Sequence, residues 1–311
     1  MFTNNFTKST AAAVFSAGML IAPNVFASED LSLVDDALME SIVEVTDRDL
    51  NLSRISIFGG VDVVTAYYSR GLKEEDRGVI IQPWGGISFN LFDKPETDDL
   101  IKSLDVYGAW WGSIHSNETG STQTPDSFYE SDYSIGLTAG LQAGFTLNAE
   151  YAINTSPSGS WDDSHDVNLK VSYDDAEFWE AAGVEFPGFA GFQPYFKTCI
   201  RVKATSNETG YFWIGVNPTF DLLQSESLPI TFSTPMTIGF GDGGYYDSTD
   251  GGSDFGYADA GITASMPLEF IPKEYGDWAG YVGFKVIYIG EDARVDRTWE
   301  PVASFGLSFS Y

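Results

Sequence analysis

The chain has 311 residues, 43% of them apolar and 15% aromatic, and a formal net charge of -29. That apolar content excludes a disordered chain, and the acidity excludes nucleic acid and anionic lipid headgroups as natural partners. A single cysteine, Cys199, excludes an intramolecular disulfide and a thiolate metal cluster, so stability has to come from backbone pairing and burial.

Residues 1–27 read as an export signal. They carry one base, Lys8, then an apolar stretch from Ala11 to Ile21, then Val25-Phe26-Ala27, which sets small residues before a cleavage point after Ala27. The apolar stretch is too short to span a bilayer. Residues 28–53 read as a periplasmic lead-in, in part helical over Leu33–Val43, and residues 54–311 as one domain. No later apolar run is long enough for a transmembrane helix, so a membrane location would require a closed sheet.

From Ser56 onward the period is that of strands. About twelve segments of about ten residues alternate in polarity, separated by stretches rich in Gly, Asp, Ser, Pro and Asn. They run Ser56–Tyr68, Val79–Phe92, Ser103–Ser113, Tyr129–Ala139, Phe145–Asn154, Asp166–Tyr173, Phe192–Ala204, Tyr211–Phe220, Ile230–Phe240, Phe255–Leu268, Trp278–Ile289 and Val302–Tyr311. In "FQPYFKTCIRVKA" the faces separate: Phe192, Phe196, Ile200 and Val202 on one side, Tyr195, Lys197, Cys199, Arg201 and Lys203 on the other. A soluble sandwich and a membrane barrel both accept such alternation. Length favours the barrel, because globular strands are nearer five or six residues. Aromatics also crowd the predicted strand ends, at Tyr67-Tyr68, Phe89 with Phe92, Tyr211-Phe212-Trp213 and Trp278 with Tyr281, where interfacial girdles lie. The expected fold is an all-β transmembrane antiparallel barrel of about twelve strands.

The chain ends "ASFGLSFSY". Phe305, Leu307 and Phe309 would face lipid, Ser304, Gly306 and Ser308 the lumen, and Tyr311 the periplasmic girdle. This ending resembles the C-terminal strand signal by which the barrel-assembly machinery of Gram-negative bacteria recognises its clients. A second resemblance covers the front of the barrel. "VTAYYSRGLKEEDRGVIIQPWGGISF" and "LDVYGAWWGSIHSN" resemble an uncharacterised family of Gram-negative outer-membrane barrels named as porins, through Arg70, Gly71, Gln82, Tyr107, Gly108 and Trp111. The chain departs from that family's Ser-Gln-Thr loop after Arg-Gly, having Leu72-Lys73-Glu74-Glu75 instead. The resemblances imply residence in the outer membrane, with lipid, the assembly machinery and small polar solutes as partners, and no cofactor.

Alternation turns a set of charges inward. The acids are Asp62, Asp105, Glu130, Asp132, Glu150, Asp166 and Asp259, and the bases Lys170, Lys197, Arg201, Lys203 and Lys285. A basic ladder opposite acidic walls would set a transverse field across a narrow pore for small polar solutes. The alternative is a barrel plugged by pairs such as Glu150 with Lys170 or Asp166 with Arg201, because an unpaired buried charge is costly. His115 and His165 each lie near a Ser and an acid or Asn, which invites comparison with lipid hydrolases, yet proximity in sequence is not triad geometry and no catalytic residue is assigned. The acidic Gly-rich stretch from Asp242 to Gly261 lacks the ligand spacing of a helix-loop-helix calcium site and reads as a surface loop.

Overall fold

The computed structural model describes residues 54–94, 98–117, 119, 127–184, 186, 188–203, 210–225, 228–242, 245–246, 255–291 and 298–311. The expected export signal and lead-in, and half of the acidic Gly-rich stretch, lie outside the described residues.

The described chain is almost entirely strand: β1 (Ile55–Val64), β2 (Tyr67–Ser69), β3 (Leu72–Glu75), β4 (Ile80–Asp93), β5 (Ile101–His115), β6 (Phe128–Leu141), β7 (Phe145–Thr155), β8 (Ser164–Tyr173), β9 (Tyr195–Lys203), β10 (Gly210–Val216), β11 (Thr219–Ser225), β12 (Leu228–Ser233), β13 (Met236–Gly241), β14 (Phe255–Pro267), β15 (Asp277–Ile289) and β16 (Trp299–Ser310). One short helix, α1 (Ala176–Ala181), interrupts them. No helix among the described residues is long and apolar enough to cross a membrane.

All strands but β2 and β3 belong to one antiparallel sheet. Two of its staves are broken by proline, which has no N–H to give to the ladder. Pro218 separates β10 from β11, and Pro235 separates β12 from β13. The register is continuous across both breaks, Val216↔Met236 being followed by Thr219↔Ser233. Counting each broken pair as one stave gives a closed barrel of twelve. Closure joins β1 to β16 from Phe58↔Ser310 to Val64↔Ser304, and Ile57 and Tyr311 exchange both backbone hydrogen bonds, at 2.8 and 2.7 Å. Both ends of the barrel chain therefore lie at one rim, as an even number of antiparallel staves requires.

Alternation sorts the side chains as a transmembrane barrel needs. Ile135, Val282 and Phe305 are 60, 55 and 52% exposed on the outer wall, and Ile87, Leu147, Phe196 and Ile214 stand out beside them. Inward positions carry Ser, Thr, Asn, charged residues and a band of Tyr and Trp. Several of these rings lie flat across a neighbouring strand where it carries glycine. A Cβ on Gly136 would come within 2.4 Å of the Tyr107 ring, so the glycine gives that ring its place in the wall. Leu307 and Phe309 pack on the outside near the termini, Phe309 stacked on Trp278 with ring centroids 5.1 Å apart, and Tyr311 is exposed at the rim.

Some expectations fail on facing. Tyr67 and Tyr68 do not belong to an interfacial girdle: β1 stops at Val64, and both rings turn into the lumen, 1 and 0% exposed. Tyr211, Trp213 and Tyr281 also face inward, leaving Phe212 and Trp278 to the outside. An aromatic run in a strand splits between faces, because consecutive side chains alternate. The segment from Asp174 to Phe192 connects β8 to β9. It carries α1, bridges Phe189 to Phe220, and receives the Asn217 N–H on the Phe192 carbonyl at 2.8 Å, so it covers the edge where β11 runs beyond β9.

Candidate functional site

The loop joining β1 to β4, residues 65–79 and called L1 below, folds into the barrel as the β2–β3 hairpin. Its tip is Arg70-Gly71, with φ of 52 and 80°. Two successive positive φ values make the tight turn whose twist suits a two-residue hairpin. Gly71 takes that conformation freely, and Arg70 is held there by what it touches.

Those contacts come from the far wall. Arg70 Nη2 donates to Asp166 Oδ2 on β8 at 2.8 Å, with the two side chains 3 and 1% exposed. Its Nη1 donates to Tyr245 Oη at 3.3 Å, its guanidinium lies 5.8 Å from the Tyr211 ring centre, and Tyr246 Oη donates to its carbonyl at 2.8 Å. Gly71 presses on β14, where an added Cβ would come 2.9 Å from Tyr257 Cβ. Asp166 also accepts from Arg201 Nε at 3.0 Å and Asn154 Nδ2 at 2.9 Å, so one carboxylate joins two arginines from opposite sides of the lumen.

The legs of the hairpin are tied to β5 and β6. Tyr67 Oη donates to Glu130 Oε2 at 2.6 Å, and its ring packs on Trp111 with centroids 5.6 Å apart. Tyr129 Oη donates to Glu74. Burial pushes the Glu74 carboxyl above its usual range, offset only in part by that hydrogen bond and by the charge of Arg70. Glu75 accepts from Thr119 Oγ1 at 2.7 Å and from the Asp76 and Arg77 N–H groups at 3.0 and 2.9 Å. Burial raises the Glu75 carboxyl and these bonds lower it, and the bonds prevail, leaving it below its usual range.

A polar chain runs on from Glu75 through Thr119 to His115 Nδ1 at 2.9 Å, and from His115 Nε2 to Ser113 Oγ at 2.9 Å. Gln82 Nε2 donates to the same Ser113 Oγ at 3.4 Å. Ser, His and acid are thus in contact, but Ser113 and His115 are wholly buried and His115 stacks on Tyr129 at 4.7 Å. The arrangement joins L1 to the wall and offers no approach to Ser113. His165 is elsewhere, on the outer face with Tyr151.

The other charges occupy the lumen as follows. Asp105 accepts from Asn90 Nδ2 at 3.0 Å, Asp132 from the Thr155 N–H at 3.3 Å, and Glu150 from Tyr107 Oη and Asn168 Nδ2 at 3.0 and 2.9 Å. Lys285 Nζ is 3.5 Å from Asp259 Oδ2. Lys170 lies over the Tyr195 ring at 5.2 Å and Lys197 over Trp213 at 4.9 Å. Lys203 is the exception. A register shift between His165 and Asp166 places Val202 as an extra residue on β9, so Lys203 pairs with His165 and sits exposed on the outer side, Nζ 3.2 Å from His165 Nε2.

Of the residues that carry the early resemblance, Arg70, Gly71, Gln82, Tyr107 and Trp111 all point into the lumen, and Gly108 sits on the outer side of β5. Sequence reasoning missed that Arg70-Gly71 is a plug tip and that Tyr245 and Tyr246 receive it. The available signal was an Arg-Gly pair closing a short, charged strand pair just beyond β1.

No family model matches the chain, and no curated protein matches it. Solved structures resemble it at low identity. An outer membrane channel from Pseudomonas putida F1 aligns over 85% of this chain and 100% of its own at 10% identity and a TM-score of 0.43. The translocator domain of the autotransporter NalP from Neisseria meningitidis aligns over 93 and 99% at 10% identity and 0.40, and the NanC porin over 82 and 98% at 8% and 0.39.

Proposed function

We propose that this chain is an outer-membrane channel for small polar solutes that is held closed, in this conformation, by its own first loop. The observation that carries the reading is the way the lumen is filled. Eight-stranded barrels fill with their own inward side chains, and a larger barrel leaves room. Here that room is taken by the L1 hairpin, attached at its tip by Arg70 and along its legs by a few hydrogen bonds and the packing of Tyr67 on Trp111. A loop held by non-covalent contacts can leave the lumen as a unit, whereas wall side chains cannot. The lumen behind it is lined by charges and by Tyr and Trp, suited to polar solutes rather than to lipid.

Orientation follows the same reading: the rim with Ile57 and Tyr311 would be periplasmic and L1 would enter from outside. The near-complete burial of the inward residues favours a second reading, a permanently closed barrel with a structural or surface role. Conductance of the refolded protein in planar bilayers separates them. For a plugged channel, Arg70→Ala and a deletion of residues 67–75 bridged by glycines raise the frequency of unitary openings. Folded variants that stay silent would leave the closed barrel as the reading.

A further inference from the structure

We propose that the lumen wall holds a small monovalent anion at Lys197. The Lys197 side chain is 1% exposed, and its Nζ is buried without a hydrogen-bond partner. What faces the ammonium is the Trp213 ring, 4.9 Å from Nζ, which offers π-density but no counter-charge. The residue directly opposite on β8 is Lys170, of the same sign.

The carboxylates on the nearby staves are engaged elsewhere. Asp166 is held by Arg70, Arg201 and Asn154, Glu150 by Tyr107 and Asn168, and Asp259 by Lys285. An ammonium in a low-dielectric interior is too costly to leave without either a counter-ion or several polar partners. A buried ammonium that faces only an aromatic ring calls for a negative ion, in a chain whose net charge of -29 otherwise repels anions.

Access is marked by further polar atoms. Toward the rim that carries the termini, Asn217 Oδ1, Ser233 Oγ and Thr263 Oγ1 are also buried without hydrogen-bond partners. Ser233 and Thr263 face each other across β12 and β14, and Asn217 stands two residues before Thr219, the partner of Ser233, on the broken stave. Orphan polar groups in a row of this kind are satisfied by water. Water at these atoms would give a halide or short carboxylate a polar route along the β10–β14 side to Lys197.

The site is a feature of the wall and does not require the barrel to conduct. The test is thermal unfolding of the purified, refolded protein at constant ionic strength, with chloride replaced stepwise by the bulky gluconate. The unfolding midpoint of the wild type should rise and saturate with chloride. Lys197→Met should lose this dependence, and Lys197→Arg, which keeps the charge, should retain it. A bromide soak of crystals should give an anomalous peak beside Lys197 Nζ. A midpoint indifferent to chloride in the wild type, a dependence that survives in folded Lys197→Met, or bromide found only elsewhere would each overturn the site. If Lys197→Met does not fold, the wild-type chloride series and the bromide peak decide alone. Silence in bilayers with an intact chloride dependence would remove the channel and keep the site.

Discussion

The docking of L1 turns on Asp166, and the two ends of its ion pair should not be equivalent. Truncation at Arg70→Ala removes a 2.8 Å charge-assisted bond, yet Asp166 keeps Arg201 at 3.0 Å and Asn154 at 2.9 Å. The 3.3 Å bond to Tyr245 goes with it, but Asp166 itself is not orphaned, so the cost is near that of losing hydrogen bonds to a charged group, about 2 kcal/mol. Asp166→Asn instead leaves Arg70 and Arg201 together without their common carboxylate, Arg70 being 3% exposed. That is the case of a buried charge stripped of its partner, about 4 kcal/mol. Hydrogen exchange of the amides in residues 65–79, read by mass spectrometry in detergent, reports the opening equilibrium of the hairpin. Arg70→Ala should speed it about 30-fold and Asp166→Asn by about a thousandfold, at about 1.4 kcal/mol per factor of ten. The double variant should fall short of the sum, since both changes remove the same bond. An Arg70→Ala effect equal to or larger than that of Asp166→Asn would refute the view that Asp166 serves two arginines at once.

Four further outcomes follow from the same geometry. Gly71→Val combines a positive φ with a Cβ against Tyr257, and should release the hairpin by about 1–3 kcal/mol, visible as the same exchange increase with the rest of the barrel unchanged. Ile135→Arg, in the middle of β6 on the outer wall, should cost about 2–4 kcal/mol in urea unfolding from liposomes, and a negligible loss would contradict its lipid-facing placement. In a conducting variant, Arg201→Glu should shift selectivity toward cations while Lys203→Glu should not, because only Arg201 faces the lumen; equal shifts would return Lys203 to the pore. Glu75 titrates below its usual range in the folded state, so its contribution is present above the unfolded value of about 4.3 and is lost as pH falls through the folded value. Glu75→Gln should therefore loosen L1 at pH 7 and match the wild type in strong acid, again by exchange.

Strand period made the barrel legible because each outer residue had to be apolar over the whole membrane depth, as Ile135 and Leu137 or Phe305 and Leu307 show two apart. Asp105, Asp132, Glu150, Asp166, Lys170, Lys197 and Lys285, which alternation turns inward, are buried side chains. The period failed where a local event reset it. One bulge at His165 sent Lys203 outward, and nothing in "CIRVKA" reports a bulge, since the extra residue is an ordinary valine. The same period hid L1. Tyr67 and Tyr68 continue the apolar run of β1, so sequence alone extends the strand through them, although Thr65 and Ala66 already leave the ladder with β4. What holds the loop inward is a partner set no short window contains: Glu130 on β6 for Tyr67, Asp166 on β8 and Tyr211 on β10 for Arg70, and Tyr257 on β14 for Gly71. An infolded loop is specified by residues scattered around the whole wall. It becomes readable only once closure has brought β8 and β14 to face the end of β1.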